Sequence, residues 1–539
     1  MFNQICREAR STGLALAILI VFWIFAGFGV SILAPEIRIF NLPLWTITGI
    51  FGTWFFAILL ATILARKIFC DMPLGEVSTS DKFVKNYFIG NHDLGGFVLA
   101  MTTVATYSSV SSFVGGPGMA WSVGFGWIYM AVVQVTAIFL VLGIFGKRVA
   151  ILARKLNAVT VVDLIRARFN SNFLAAISAL VIVLFFCGTM TAQFVGGAKI
   201  FAAVTGYSYE FGLILFGLIV VAYTSFGGFK AVAITDTLCA MMMMVGIVLL
   251  LSYVLDAGGG FNSIMNSISQ NHPAMLEPFS DGKMPWGLYL TQWMLVGICT
   301  IALPQSVVRG MSYRDTHGLH RAMIIGTVVI GFMNIGVNFT GILAHGVLEG
   351  SLEDFGGVDN IIPSTIVASM PRSLVGLAII APLAASISTI SGLLIVAGSA
   401  IIKDVYLHYN RDASTQRVAI LSRVVTAAIG VIVFFIALTP PSLIWIINMF
   451  AFGGLETAFF WTLLLGLYWK KANKLGAMLS TAGGTIVYCA TQFAGFKILG
   501  LHQITIGISV SLILFLIGSY IGEKTDQKTL DEFFPKSEI

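Results

Sequence analysis

Long apolar runs separated by short polar connections dominate this chain. A membrane-spanning helix needs roughly 20 apolar residues, and about fourteen runs meet that criterion. The longest polar connections fall near 66–93, 257–287 and 348–372, and none is long enough for a separate soluble domain. The first run, Gly13 to Ala34, is too long for a signal-peptide core and lacks a small-residue cleavage site. It therefore predicts a retained span. The pattern as a whole predicts an all-α polytopic membrane protein.

Composition agrees. Of the 539 residues, 57% are hydrophobic and 10% are charged, whereas a soluble chain carries about a quarter charged residues. The net charge of +6 would suggest an anionic partner, but its distribution does not. Lys and Arg recur in alternate connections: Arg7 and Arg10; Arg66, Lys67, Lys82 and Lys85; Lys147, Arg148, Arg154 and Lys155. Arg314 and Arg321, Lys403 and Arg411, then Lys470, Lys471 and Lys474 continue the series. The intervening connections are poor in positive charge, and one is acidic (Glu349, Glu353, Asp354, Asp359). Positive charge marks the cytoplasmic side, so an even number of spans with both termini in the cytoplasm is expected. No basic stripe with interleaved aromatics suggests nucleic acid. Six scattered cysteines, four of them within spans, imply no disulfide framework.

Two runs are interrupted. One contains Ala105-Thr-Tyr-Ser-Ser-Val-Ser-Ser112 and then Gly115-Gly-Pro-Gly118; the other, Gly297 to Gly310, contains Pro304 and Gln305. Each opens a series of five spans, about 95–256 and 288–469, as an inverted five-plus-five repeat would. Broken helices near the midplane expose backbone groups that transporters use for binding. The competing reading is that small residues simply let helices pack closely. Ala385, Ser388 and Thr389 share one helix face and offer oxygen to a hard cation such as sodium; alternatively the hydroxyls bond back to their own helix. Asp236, Arg309 and Glu456 place charge inside predicted spans, which is expensive and commonly functional, although Asp236 and Arg309 also suit a structural ion pair. Thr189 and Gln193, four apart, could meet a polar substrate or a neighbouring helix. His317 and His320 read as solvated loop residues, and Thr160 with Asp163 as a capping box. No phosphate loop, nucleophile elbow or zinc-protease motif occurs, so no enzyme is expected.

Several strings carry a family resemblance. Tyr223-Thr-Ser-Phe-Gly-Gly-Phe-Lys-Ala231, Gly466-Leu-Tyr-Trp-Lys-Lys and Gly476-Ala477 resemble the signatures of the sodium/solute symporter family. Ser112-Phe-Val-Gly-Gly-Pro-Gly118, Ala192-Gln-Phe-Val-Gly-Gly-Ala198 and Ala451-Phe-Gly-Gly-Leu-Glu456 resemble its pantothenate-carrying branch. The resemblance runs from about Phe83 to Gly522. It implies a leucine-transporter-type fold with ten core helices in two inverted halves, plus peripheral helices. It also implies a sodium site from Ala105 and Ser108 on the first core helix with Ala385, Ser388 and Thr389 on the eighth. Asp236 matches an aspartate linked to sodium coupling. Val296 and Thr300 fall where relatives hold substrate, and Ser109, Thr189, Gln193, Gln305, Asn448 and Glu456 complete the substrate candidates.

Residues 1–77 depart from the family pattern. They predict two spans and resemble a small, uncharacterised two-span membrane family, so a fusion is expected, with a core over 83–522 and a cytoplasmic tail over 523–539. The function implied is sodium-coupled uptake of pantothenate across the bacterial inner membrane, with no cofactor beyond the coupling ion and the lipid bilayer as surroundings. Another monocarboxylate or an amino acid is the alternative substrate, and a non-transporting sensor the alternative class.

Overall fold

The computed structural model describes residues 1–77, 82–410, 412–439 and 444–535. Arg411 of the basic series and residues 536–539 of the tail lie outside the described residues. The fold is a bundle of apolar helices. Two precede the core: α1 (Phe2–Leu33) and α2 (Leu44–Ile68). The first half of the core comprises α3, broken into Gly96–Tyr107 and Ser111–Val123, then α4 (Phe125–Leu156), α5 (Asn172–Thr205) and α6 (Tyr209–Ala257). The second half comprises α7, broken into Trp286–Ala302 and Pro304–Ser312, then α8 (Thr316–Gly346), α9 (Arg372–Tyr409), α10 (Thr415–Ala437) and α11 (Ile444–Tyr468). α12 (474–493) and α13 (Gln503–Ile521) follow.

The bends of 65° in α3 and 45° in α7 open the two halves at matching places. This is the leucine-transporter-type arrangement. By length and apolarity, ten to twelve of the described helices qualify as spans. α6 is 49 residues long and turns at Gly228, whose φ of 66° suits only glycine. A Cβ there would fall 3.0 Å from the Tyr87 ring. Counting α6 as two arms and including α12 is compatible with fourteen crossings. The two ends of the described chain lie at one end of the bundle, where the Phe2 and Phe534 rings meet edge to face at 5.5 Å.

Elementary chemistry explains the breaks. Proline disfavours a helical conformation in the residue before it, and Leu303, just before Pro304, is extended (ψ 125°). In α3, Ser108 leaves the helical region (ψ 104°) and frees the Val110 N–H. Gln193 Oε1 of α5 accepts that N–H at 2.8 Å. The N-cap half of the capping box is present, since Thr160 Oγ1 accepts from the Asp163 N–H at 2.9 Å, while Asp163 Oδ2 accepts from the Val159 N–H at 3.0 Å, one residue before the cap. His317 is exposed, but His320 is buried, contrary to expectation. Its ring lies 5.7 Å from Phe69, because residues after α2 cover the start of α8.

The N-terminal pair is keyed into α4 and α8. The Trp23 ring stacks on Tyr129 of α4 at 4.4 Å. Tyr129 fills the notch left by Gly27, where a Cβ would fall 2.1 Å from Cζ. Trp54 Nε1 donates to the Thr327 carbonyl of α8 at 3.2 Å. Nearer the termini, Glu8 and Lys147 form a buried ion pair at 2.7 Å. The Cys70 N–H donates to Glu8 at 2.9 Å, and Lys147 donates to the Cys70 carbonyl at 2.7 Å. Removing one member of a buried pair destabilises by about 3–5 kcal/mol. Lys147→Met should therefore lower the thermal midpoint of the purified protein clearly, and Glu8→Gln/Lys147→Met should recover part of the loss. Equal midpoints for wild type and Lys147→Met would refute that role.

Candidate ion and substrate site

The two breaks and the middle of α9 converge. Ser388 Oγ donates to the Ala105 carbonyl at 3.1 Å and to the Ala385 carbonyl at 3.3 Å. Thr389 Oγ1 donates to the Ala385 carbonyl at 2.9 Å and approaches the Ser108 carbonyl at 3.4 Å. Both readings of these hydroxyls thus have a counterpart here: each bonds back to its own helix, and each reaches across to α3. All five residues named from the sequence come together and are buried. They present three carbonyl and two hydroxyl oxygens, a neutral, all-oxygen set suited to a hard monovalent cation.

Asp236 lies elsewhere, on the second arm of α6. Its Oδ2 accepts from Thr102 Oγ1 at 2.6 Å and from Arg309 Nη2 at 3.0 Å. Arg309 also donates to the Thr102 carbonyl at 3.1 Å and to the Gln305 carbonyl at 3.0 Å. Asp236 Oδ1 has no hydrogen-bond partner. The pair ties α3, α6 and α7 together, as the ion-pair reading required.

A cavity opens beside the two breaks. Ser109, Val296, Thr300 and Asn448, four of the substrate candidates, line it. The other four do not. Thr189 bonds back to the Phe185 carbonyl at 3.3 Å, and Gln193 caps the α3 break. Gln305 and Glu456 are buried with unpartnered side-chain oxygens.

Sequence reading missed a polar relay on the cavity wall. Asn338 accepts from Trp127 Nε1 at 3.2 Å and donates to the Asn334 carbonyl at 2.8 Å. Asn334 donates to Gln134 Oε1 at 2.6 Å, and Gln134 donates to the Tyr107 carbonyl at 3.0 Å. Tyr107 OH donates to the Thr300 carbonyl at 3.2 Å. The relay joins α8 to both breaks. Asn334 and Asn338, four apart inside an apolar run, were the available signal, since amides at such depth need partners.

Comparison with known proteins agrees with this architecture. Residues 87–484 match the model of the sodium:solute symporter family, and residues 4–78 match a family described as a protein of unknown function (DUF997). The chain is 38% identical to the sodium/pantothenate symporter of Haemophilus influenzae over 84% of its own length and 93% of that protein's. It is 38% identical to that of Escherichia coli over 83% and 92%. A sodium-coupled sialic acid symporter, solved substrate-bound and outward-open, superposes with a TM-score of 0.69 at 20% identity, covering 91% of this chain and 99% of that one.

Proposed function

This chain belongs to the sodium:solute symporter family, and on that footing we propose that it imports pantothenate with sodium across the bacterial cytoplasmic membrane. The identity of 38% to two sodium/pantothenate symporters over most of their length carries this reading. The end of the bundle bearing both termini and most of the basic connections is the cytoplasmic one, by the positive-inside rule. Residues 83–522 form the transport core, 1–77 an accessory two-helix segment and 523–539 a cytoplasmic tail.

Sodium binds among the carbonyls of Ala105, Ser108 and Ala385 and the hydroxyls of Ser388 and Thr389. To coordinate it, both hydroxyls turn their protons away from the carbonyls that now accept them. The ion then links α3 to α9 at the point where α3 is broken. Ser109 and Tyr107 of the same break face the cavity, so an ion held on one side of this short segment fixes what substrate meets on the other. Ser109, Thr300 and Asn448 offer groups that hydrogen-bond the hydroxyls, amide and carboxylate of pantothenate, and Val296 packs against its methyls. Asp236 positions the first segment of α3 through Thr102.

Uptake of labelled pantothenate into proteoliposomes tests the reading. An inward sodium gradient should drive accumulation that unlabelled pantothenate blocks and that vanishes without sodium. A folded preparation giving no uptake under the gradient would discard pantothenate as the substrate. Asn334→Leu, which severs the relay, should reduce the maximal rate about five-fold or more, since it leaves Gln134 Oε1 without its donor (about 1–3 kcal/mol). An unchanged rate would exclude the relay from transport.

A further inference from the structure

Glu456 is the central residue of α11, and its side chain is fully buried. Neither carboxylate oxygen has a hydrogen-bond partner, and no ion pair among the described residues includes it. Its titratable neighbours are Tyr107 of α3, Cys299 of α7 and Tyr488 of α12, none of them a cation. The flanking faces add none: Phe185 of α5 meets Gly454, and Ser511 of α13 donates to the Thr457 carbonyl. Arg309, the buried cation of this region, is engaged by Asp236. An ionised carboxylate in the membrane interior is neutralised or paired, and here the fold supplies no partner.

The location is informative too. Phe452, one turn earlier on α11, lines the cavity together with Tyr107 and Thr300. Glu456 therefore lies just beyond the cavity, between it and the end of the bundle bearing both termini. It is on a different helix from every residue of the α3–α9 oxygen set.

We infer that Glu456 is a second cation-binding position, which takes one small monovalent cation, a proton or a sodium ion, in each transport cycle. The cation enters with substrate, neutralises the carboxylate while the site is closed, and leaves on the opposite side when the cavity opens there. The inference rests on the proposed substrate being a monoanion. One sodium with one monoanion moves no net charge, whereas a second cation makes the cycle carry one positive charge inward. An inside-negative potential of about 100 mV would then raise the accumulation limit about fifty-fold.

The charge moved per pantothenate in proteoliposomes holding the full-length protein tests this. Wild type should carry one net positive charge per substrate, and Glu456→Gln should carry none while keeping its sodium requirement. An electroneutral wild type, or a Glu456→Gln variant that still moves one charge, would overturn the inference. Varying pH at fixed sodium, and sodium at fixed pH, tells which cation neutralises Glu456. A substrate-free measurement separates this inference from the choice of substrate. In the Ser388→Ala/Thr389→Ala variant, thermal stability should still rise with acid, or with sodium at concentrations too low to fill the weakened α3–α9 set, and adding Glu456→Gln should abolish that rise. The same rise with Glu456→Gln added would overturn it even if pantothenate is not the solute carried.

Discussion

Replacing Ser388 and Thr389 together with alanine should raise the sodium concentration for half-maximal uptake by about thirty-fold or more. Each hydroxyl lost as a ligand is worth at least about 1 kcal/mol, and about 1.4 kcal/mol is a ten-fold change in affinity. The backbone carbonyls of Ala105, Ser108 and Ala385 remain, so some binding should persist at high sodium. If the hydroxyls only bond back to the Ala385 carbonyl of their own helix, their loss would change stability slightly and leave sodium dependence alone. Uptake measured as a function of sodium decides, and an unchanged half-maximal concentration sinks the assignment.

The second large effect is expected at the Asp236–Arg309 pair. Arg309→Met leaves the Asp236 carboxylate buried without a cation, which should cost about 3–5 kcal/mol of stability and abolish uptake. Asp236→Asn/Arg309→Met removes both charges and should restore most of the stability. The double variant also separates two roles for Asp236. If it takes part in sodium coupling, the stable double variant remains inactive. If transport returns with stability, the pair only braces α3, α6 and α7.

The sequence made the helical class legible because apolar runs of span length have few other uses. It made the α3–α9 oxygen set legible because Ser388 and Thr389, three and four residues after Ala385, share its helix face, although pairing that face with Ala105 and Ser108 needed the family resemblance. Asp236 and Arg309, 73 residues apart, could be named as buried charges but not joined, since no local periodicity links two helices across the bundle. The amide relay stayed hidden for the same reason: Asn334 meets Gln134 at a separation of 200 residues. His320 misled because its loop position suggests water, whereas the segment after α2 folds over it. Thr189 and Gln193 share a face as their spacing required, but that face meets other helices and not the cavity.

The buried Glu8–Lys147 contact also has a consequence in time. The acid and its base are 139 residues apart, and a ribosome adds about 5–20 residues each second. Glu8 therefore emerges about 7–28 seconds before Lys147 can reach it. During that wait the carboxylate stays at the hydrated boundary of the bilayer, and the Gly27 notch waits for Tyr129 among lipid tails. The first two helices thus enter the membrane as an unfinished surface, whose final packing is timed by the synthesis of α4.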